Sequence, residues 1–480
     1  MPSQNTPDKH AVPTRALCVD LDGTLLDSDI LYESLLVLLA RNPLYLFLLP
    51  FWLLQGKAAL KRHIAARVTI DPRHLPYNPN VLELLRSTAQ RPRVLCTASD
   101  QLLVAPIAAH LGLFEQVIAS DGQRNLSGSH KAQALVDAFG ERGFDYAGNG
   151  KVDLAVWDRA AGAWVVNNGA SLLGAASRRT QVLAHWPAPP RLRAWVKALR
   201  PHQWLKNLLV FVPLLTAHRF LDATAVADAL LAFAAFSLCA SGVYVLNDLL
   251  DLEADRRHPR KRRRPFAAGQ LPLLHGLIAG PLLTLGGVAV ALACSPAFAA
   301  VLLGYYMLTL GYSLRLKRVV MLDVVLLASL YTLRIIGGTV AIAAELSFWL
   351  LAFSMFIFLS LALLKRYTEL HSVLASGKTR ASGRGYDVED LPLLQSLGAA
   401  AGYCAVLVMA LYINSPDSVE LYRHPKLLWF ICPVLLYWVS RAWVIAHRGT
   451  MHDDPIVFAA TDRASQVVAA LCVGFALVAI

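Results

Sequence analysis

Cysteine is scarce in this sequence and follows no metal-binding pattern. The chain has 480 residues, of which seven are cysteine. They lie far apart along the chain, at Cys18, Cys96, Cys239, Cys294, Cys404, Cys432 and Cys472. A disulfide framework or a structural zinc site would need closely spaced cysteines such as Cys-x-x-Cys pairs. The sequence therefore indicates neither.

The N-terminus also lacks the apolar core of a secretory signal peptide. Residues 1–15 are mainly polar and contain no apolar run. A signal peptide would require 7–15 consecutive apolar residues near this end. We therefore expect the N-terminal part of the chain to remain in the cytoplasm.

Apolar residues are unevenly distributed. They make up 56% of the chain, compared with about 45–50% in soluble proteins. Residues 1 to 190 mix charged and apolar side chains, whereas apolar runs of about twenty residues, the length that crosses a bilayer, begin at Leu208. This predicts a soluble domain followed by an all-α membrane domain of about nine transmembrane helices. The predicted spans are 208–217, 225–246, 272–293, 297–313, 319–341, 347–364, 395–413, 427–444 and 464–480.

Positive charge is concentrated on one side of the predicted membrane domain. The formal net charge is +12, and most of the cations of this domain fall in the loops at 247–271, 314–318, 365–394 and 445–463. The loops on the opposite side carry only Arg219, Arg423 and Lys426. This asymmetry favours a multi-pass protein of the cytoplasmic membrane with its active site facing the cytoplasm. It also accounts for the net charge without a nucleic-acid partner.

An aspartate-rich motif follows the second predicted span. Asp248, Asp251 and Asp255 have the spacing i, i+3 and i+7, which places all three on one face of a helix. Magnesium binds carboxylates together with substrate phosphates. The motif therefore predicts a diphosphate site held by Mg²⁺, with Asn247 as an additional polar group. A solvated acidic helix end is the alternative.

A basic run follows the aspartates directly, from Arg256 to Arg264. A positive-inside loop explains part of it, but arginine and lysine also bind phosphate oxygens. We expect Lys261 and Arg264 to be the phosphate ligands.

These motifs resemble the UbiA superfamily of intramembrane prenyltransferases. Three further stretches resemble one branch, the polyprenyl-phosphate phosphoribosyltransferases: Arg200 to Asn207, Asp255 to Gly269, and Lys365 to Leu370. A fourth, Met451 to Phe458, is also similar to that branch. The resemblance covers about residues 191–480.

The resemblance implies transfer of 5-phosphoribose from 5-phosphoribosyl-1-diphosphate to a polyprenyl phosphate. Mg²⁺ on Asp248, Asp251 and Asp255 would hold the leaving diphosphate. The residues expected to bind substrate are Arg200, Gln203, Lys206, Asn207, Asn247, His258, Lys261, Arg264, Tyr312, Arg315, Lys317, Arg334, Lys365, Arg366 and Glu369.

Three alternatives remain open in the membrane domain. A prenyltransferase acting on an aromatic or other acceptor is the competing function, but the second aspartate-rich motif of such enzymes is replaced by Lys365, Arg366 and Glu369. Arg334 either pairs with Asp323, three turns away, or binds substrate. Tyr312 is either an interface anchor or a substrate ligand.

A second motif lies near the N-terminus. Asp20 and Asp22 follow a short apolar strand and precede Gly23 and Thr24, which places two carboxylates at a strand end, where open α/β sheets bind ligands. The motif resembles the haloacid dehalogenase-like phosphatases over about residues 14–180. The resemblance implies a Rossmann-like α/β fold in which Asp20 is the nucleophile, Asp22 the acid/base, and Thr97 and Lys131 the phosphate ligands. Asp20, Asp22, Asn149 and Asp153 would bind Mg²⁺.

One position departs from the phosphatase pattern. Asn149 stands where the family has a metal-binding aspartate, so the domain is either a weakened phosphatase that removes the 5-phosphate or a non-catalytic docking or regulatory module.

The predicted domains are 1–180, a linker at 181–192 read from its prolines, and 193–480. The apolar run Pro43 to Leu54, in a predicted helical cap, is either buried or interfacial.

Overall fold

The computed structural model describes residues 15–377, 379, 385–452 and 454–480. Residues 378, 380–384 and Asp453 lie outside the described residues, so the basic loop at 365–394 and the late motif at 451–458 are each described in part. The chain divides into two compact units. Unit 1 comprises residues 1–199 and 244–280, and unit 2 comprises residues 200–243 and 281–480.

Unit 1 is built on a six-stranded parallel sheet with the order β3-β2-β1-β4-β5-β6. The central strand is buried on both faces, as an apolar strand between two helical layers should be. This confirms the predicted α/β fold. The strands are β1 (Ala16–Val19), β2 (Arg93–Asp100), β3 (Gln116–Ser120), β4 (Phe144–Gly148), β5 (Gly162–Asn168) and β6 (Gln181–Pro187).

The helices of the N-terminal part fall into an insertion between β1 and β2 and the layers around the sheet. The insertion holds α1 (Ile30–Arg41), α2 (Leu49–Leu54), α3 (Lys57–Ala65) and α4 (Pro79–Ser87). The remaining helices are α5 (Gln101–Leu111), α6 (Ser129–Phe139), α7 (Leu154–Trp157), α8 (Ala170–Ser177) and α9 (Leu192–Leu199). The insertion is the predicted helical cap.

The linker predicted at 181–192 is wrong over most of its length. Residues 181–187 form β6, which pairs in parallel with β5 and completes the sheet. Pro187 is the last residue of this strand, and Pro189 and Pro190 separate it from α9. Prolines lack the backbone N–H that a ladder needs, so they end the strand without making the preceding segment a linker.

The membrane part is helical. Its helices in chain order are α10 (Val212–Thr216), α11 (Ala223–Leu250), α12 (Leu252–Arg257), α13 (Leu273–Cys294), α14 (Pro296–Leu314), α15 (Leu322–Ala341), α16 (Phe348–Ala375), α17 (Leu391–Ile413), α18 (Pro416–Leu421), α19 (Ile431–His447), α20 (Pro455–Thr461) and α21 (Arg463–Ala479). Within the described ranges, seven helices are long and apolar enough to cross a membrane, or eight if α20 and α21, bent by 76°, form one span. The predicted count of nine is not confirmed.

The difference lies at the first predicted span, 208–217. The chain there forms a 3₁₀ helix over Pro201–Phe211, followed by the five-residue α10, so this stretch is not one long α-helix like the other spans. This segment packs tightly against α15, because a Cβ on Gly338 would lie 2.1 Å from the carbonyl oxygen of Val210. Irregular backbone is tolerated among membrane helices where protein covers it, and such a segment has a weaker hydropathy signal than a span.

Candidate active sites

The aspartate motif lies where α11 ends and α12 begins, in unit 1. Helical hydrogen bonding continues through the break, since the N–H of Asp251 donates to the carbonyl of Asn247 and the N–H of Asp255 donates to the carbonyl of Asp251. Asp248 and Asp255 are buried, at 2% and 1% exposure, whereas Asp251 is exposed. The sequence thus predicted the aspartate-rich motif, and the structure shows that two of its carboxylates are buried and one is exposed.

Arg264 joins the two buried carboxylates. Its Nη1 lies 3.1 Å from Asp248 Oδ1 and 2.6 Å from Asp255 Oδ2. Burial raises the pKa of Asp255, and the nearby guanidinium acts in the opposite direction. Two acidic groups that share one cation in a buried place form a site that favours positive charge.

The donor set fits magnesium bound with substrate. Mg²⁺ is usually held by one or two carboxylates together with substrate phosphates and water, rather than by a cage of protein ligands. Asp248 and Asp255 supply two such carboxylates. Among the described residues, no group of three or more His, Cys, Asp or Glu side chains is arranged to hold a metal by itself.

The basic run after α12 is ordered by His258. The backbone N–H groups of Arg260 and Lys261 donate to His258 Nδ1 at 3.2 and 3.3 Å. They begin the 3₁₀ turn Lys261–Arg263, whose side chains are not buried. His258 therefore shapes the turn that carries Lys261, and the side chain of Lys261 is exposed to solvent.

Unit 2 holds a separate cluster of two lysines around one aspartate. Lys206 Nζ donates to Asp454 Oδ2, and Lys365 Nζ lies 3.7 Å from the same oxygen. Lys206 also donates to Gln203 Oε1 at 2.8 Å. Burial opposes the charge of Asp454, but Lys365 and Lys206 outweigh it and lower its pKa to about 2. The cluster thus carries a net positive charge.

Asp454 was missed as a candidate residue in the sequence. Its signal is the late segment Met451 to Phe458, which is similar to the phosphoribosyltransferase branch. That resemblance assigns no role to any single residue. Asp454 also caps α20, since its Oδ1 accepts the N–H of Ile456 at 3.0 Å. The aspartate therefore fixes both the lysines and the start of a helix.

Arg334 does not pair with Asp323. Its Nε donates to Asn207 Oδ1 at 2.9 Å and its Nη2 to the Tyr305 hydroxyl at 2.7 Å. The guanidinium carbon lies 4.7 Å from the centre of the Tyr305 ring, a cation–π contact. The pairing alternative is therefore wrong, and the hydrogen bonds of Arg334 go to the neutral groups of Asn207 and Tyr305.

Asp323 pairs instead with Arg366, 43 residues further along the chain. The hydroxyl of Tyr386 donates to the other oxygen of Asp323 at 2.6 Å. The two Nη groups of Arg366 donate hydrogen bonds to Glu369 and to the Tyr312 hydroxyl. This network explains Arg366, Glu369 and Tyr312 as a structural unit, although the sequence suggested them as substrate ligands.

The other predicted ligands lie at element ends. Arg200 precedes the 3₁₀ helix Pro201–Phe211 with a left-handed backbone, at φ 53°. Arg315 follows α14 and is exposed, and Lys317 lies in the next 3₁₀ turn, half-buried. Asn247 lies in the last turn of α11.

The second site lies at the carboxyl ends of β1, β2 and β4. Asp20 Oδ1 accepts a hydrogen bond of 2.8 Å from Lys131 Nζ. Asp22 accepts the N–H of Ile30 at 2.7 Å and the hydroxyls of Ser99 and Thr97 at 2.6 and 3.4 Å. Burial raises the pKa of both carboxyl groups. The residues predicted from the haloacid dehalogenase resemblance are thus brought together.

The position of Asn149 is also at this site. Its side chain packs on the turn after Asp20, because a Cβ on Gly23 would lie 2.0 Å from Asn149 Nδ2. Asp153 is occupied by protein donors: its Oδ1 accepts from the Tyr146 hydroxyl, and its Oδ2 accepts the N–H groups of Asn149 and Gly150. Asp153 therefore shapes the loop, and the oxygens that fit a metal here are chiefly those of Asp20 and Asp22.

Lys61 is a further residue that the sequence did not indicate. It lies on α3 of the helical insertion, and its Nζ donates to the carbonyl of Ala98 at 2.6 Å and to Asn125 at 3.0 Å. Burial lowers its pKa, while Asp22 and Asp29 act in the opposite direction. The insertion thus places a cation beside the predicted phosphate-binding residue Thr97.

Comparison with known proteins places both parts of the chain in families. The UbiA prenyltransferase family profile matches residues 209–461, and the haloacid dehalogenase-like hydrolase profile matches residues 17–156. A solved UbiA homolog from Archaeoglobus fulgidus bound to GPP and Mg²⁺ is 16% identical, with a TM-score of 0.46, and the match covers 60% of this chain and 99% of that chain.

Two relatives extend the comparison. The uncharacterized protein y4nM of Sinorhizobium fredii is 39% identical over 463 residues, which cover 95% of this chain and 89% of that protein. The decaprenyl-phosphate phosphoribosyltransferase of Mycobacterium tuberculosis is 33% identical over 280 residues, which cover 57% of this chain and 90% of that enzyme. The chain belongs to the UbiA prenyltransferase family, as a multi-pass membrane transferase that also carries a haloacid dehalogenase-like domain.

Proposed function

We propose that the chain transfers 5-phosphoribose from 5-phosphoribosyl-1-diphosphate to a polyprenyl phosphate. The observation that carries the proposal is the buried pair Asp248 and Asp255 around Arg264, in a chain 33% identical to an enzyme named decaprenyl-phosphate phosphoribosyltransferase. The products are polyprenyl-phosphoryl-5-phosphoribose and diphosphate. The active site faces the cytoplasm, and the protein lies in the cytoplasmic membrane.

The reaction requires positioning more than proton transfer. An oxygen of the lipid phosphate forms the new bond to ribose C1, while the bond from C1 to the diphosphate oxygen breaks. The lipid phosphate is already an anion, so no general base is needed. Asp248, Asp255 and the exposed Asp251 would hold Mg²⁺, which neutralises charge on the leaving diphosphate when bound.

The protein cations have a distinct task. Two anionic substrates repel each other, so the site must offset their charge. Lys206 and Lys365 present two cations that Asp454 only partly neutralises, and Arg264 and Lys261 lie on the loop after the aspartates. We assign these residues to phosphate binding.

A prenyltransferase acting on an aromatic or other acceptor is the competing function. It would need a second acidic cluster after the sixth predicted span, 347–364, to bind Mg²⁺. In this part of the described chain, Glu369 is paired with Arg366, and Asp390 receives the backbone N–H of Asp387. These contacts favour the phosphoribosyl substrate.

The decisive experiment counts radiolabel in the lipid phase. Purified protein, Mg²⁺, labelled phosphoribosyl diphosphate and decaprenyl phosphate should give an acid-labile labelled lipid and one diphosphate per lipid. Asp248→Asn should give none. Incorporation of prenyl diphosphate into an aromatic acid, with phosphoribosyl diphosphate unused, would show that the branch assignment is wrong.

We further propose that the haloacid dehalogenase-like domain removes the 5-phosphate from the lipid product. The support is the arrangement of Asp20 with Lys131, and of Asp22 with Thr97. A tethered domain would meet the product at high effective concentration. With Asn149 in place of an aspartate, we expect slow turnover, and Asp20→Asn should stop phosphate release without stopping lipid labelling.

A further inference from the structure

Unit 1 joins the haloacid dehalogenase-like domain to the aspartate motif through a buried ion pair. Arg256 directly follows Asp255, and its Nη1 and Nη2 donate to the two oxygens of Glu33 at 2.8 and 2.6 Å. The side chains are 6% and 4% exposed. A two-bond contact between a planar guanidinium and a carboxylate fixes orientation as well as distance.

Each partner of this pair is anchored on its own side. Arg256 Nε donates to the carbonyl of Ala267 at 3.0 Å, three residues beyond Arg264. Glu33 lies in the first turn of α1 and also accepts from the hydroxyl of Ser28. The pair therefore holds the loop between Asp255 and Ala267 against α1.

A second contact fixes the far end of the same loop. Gly269 has φ +69°, and a Cβ there would lie 2.6 Å from the carbonyl oxygen of Asp27. Asp27 belongs to the turn that follows Asp20 and Asp22, and it accepts hydrogen bonds from Asn78 and Asn167. The loop after the aspartates is thus fixed to the phosphatase-like domain at two points.

We infer that the haloacid dehalogenase-like domain is a structural part of the transferase site, with Glu33 as a positioning residue. Glu33 orients Arg256, and Arg256 sets the spacing between Asp255 on α12 and the loop that carries Arg264. The role is independent of phosphatase chemistry, because Glu33 does not contact Asp20. The kinetic part of the test rests on the proposed transfer reaction, and the structural part does not.

The test compares Glu33→Gln with Glu83→Gln, a matched change at an exposed glutamate of α4, in the full-length protein. Without substrate, trypsin should cleave the basic run 257–264 at least about tenfold faster in Glu33→Gln, because its anchor is lost. In the transfer assay, kcat/KM for phosphoribosyl diphosphate should fall about tenfold or more, with a higher half-saturating Mg²⁺. Glu83→Gln should match wild type in both measurements.

Several outcomes separate the two proposals. Unchanged cleavage and unchanged transfer in folded Glu33→Gln would overturn the positioning role. If wild type does not use phosphoribosyl diphosphate, the proposed function fails, and the cleavage rate together with Mg²⁺-dependent thermal stabilisation still decides the positioning role. If Glu33→Gln does not purify as a single species, Glu33→Asp, which keeps the charge, replaces it in the same comparison. Wild-type cleavage and transfer in Glu33→Asp would then overturn the positioning role of Glu33.

A separate surface of unit 1 carries an unusual amount of exposed apolar area. The Pro43–Leu54 segment forms a 3₁₀ turn and the short α2. Its exposed large side chains are Leu44, Leu46, Phe47, Leu48, Phe51, Leu53 and Leu54, with exposures from 43% to 85%. Trp52 of the segment is buried, at 7%, and Tyr45 and Leu49 pack partly against the same core, so these side chains fix the segment to the domain while the seven others are exposed.

We propose that the Pro43–Leu54 segment inserts into the membrane interface. Unit 1 also contains the ends of two membrane helices, residues 244–250 of α11 and 273–280 of α13. Leu36 and Ala40 of α1, just before the segment, line a cavity of about 170 Å³ together with Leu249 and Leu250 of α11. Exposed Arg41 and Lys57 flank the segment, as expected for cations facing lipid phosphates.

Photocrosslinking tests this surface in nanodiscs. Benzoylphenylalanine at Phe47 or Phe51 should form lipid adducts, and the same probe at exposed Glu141 should form none. An adduct to a second copy of the chain, or no adduct at either position, would overturn membrane insertion. Aspartate at both Phe47 and Phe51 should leave the protein folded and reduce adducts from a probe at Leu54 about tenfold.

Discussion

Arg366 and Asp323 form an ion pair inside the helical bundle, with side chains only 1% and 0% exposed. Asp323 begins α15, and Arg366 lies on α16, which packs beside it. The hydroxyl of Tyr386 donates to the other oxygen of Asp323 at 2.6 Å. Because the Asp323 carboxylate depends on Arg366 for charge compensation, the pair fixes two membrane helices relative to one another.

Removing one partner of this pair should destabilise the protein. Arg366→Met leaves the buried Asp323 carboxylate without a cation, which costs about 3–5 kcal/mol, and Asp323→Asn removes the link between the two helices. We expect a lower unfolding temperature in detergent, with KM for phosphoribosyl diphosphate unchanged in the folded fraction. A selective rise in KM with full stability would instead support the substrate-binding role that the sequence suggested for Arg366.

Substitutions in the aspartate-rich motif should abolish catalysis without unfolding the protein. Asp248→Ala and Asp251→Ala should each abolish lipid labelling while the protein elutes as a single species. Glu253→Gln, at an exposed acid of α12 close to these aspartates, is the control and should keep full turnover. Near-normal labelling in either aspartate variant would contradict the role of the aspartate-rich motif in holding the diphosphate.

The lysine cluster predicts a binding defect that depends on charge. Lys206→Gln removes one of the two cations around Asp454 and should raise KM for a phosphorylated substrate about tenfold, with a smaller change in kcat. Asp454→Asn removes the shared anion, so the two lysines repel and we expect reduced stability. If Lys206→Gln leaves both KM values unchanged, the cluster is a structural one.

The phosphatase-like domain predicts a separable second step. Wild type should slowly release phosphate from polyprenyl-phosphoryl-5-phosphoribose, and Asp20→Asn should accumulate the 5-phosphorylated lipid. Asn149→Asp should raise the rate at low Mg²⁺, since a carboxylate replaces a neutral amide beside the metal. Equal accumulation of phosphorylated lipid in wild type and Asp20→Asn would favour a docking or regulatory domain.

The charge distribution predicts sidedness. Tags near Asn5 and in the loop at 365–394 should be accessible from the cytoplasm, and a label near Asp417 from the outside. The measurement also tests the irregular 201–216 segment, because both tags can lie on the cytoplasmic side only if this segment crosses the membrane in place of the first predicted span. Labelling of Asn5 and the 365–394 loop from outside would refute the proposed orientation.

Local patterns in the sequence were sufficient for the elements and motifs. Hydropathy identified the long membrane helices because span length and composition are properties of a continuous segment. The spacing of Asp248 and Asp255 predicted a shared face, and the Asp20 motif predicted a strand end, because helix and strand periods are fixed by the backbone. The prolines near residue 187 led to the wrong linker prediction. A strand differs from a linker because its backbone is hydrogen-bonded to a neighbouring strand, and the local sequence does not show that neighbour.

Tertiary structure decided the choice of partner. Asp323 pairs with Arg366 rather than Arg334, Lys206 meets Asp454 across 248 positions, and Arg256 meets Glu33 across 223. A charged side chain in the sequence has many oppositely charged candidates, and only packing determines which of them is buried beside it. The sequence by itself therefore determined the family, the motifs and the chemistry they offer, while the fold alone decided which charges pair with one another.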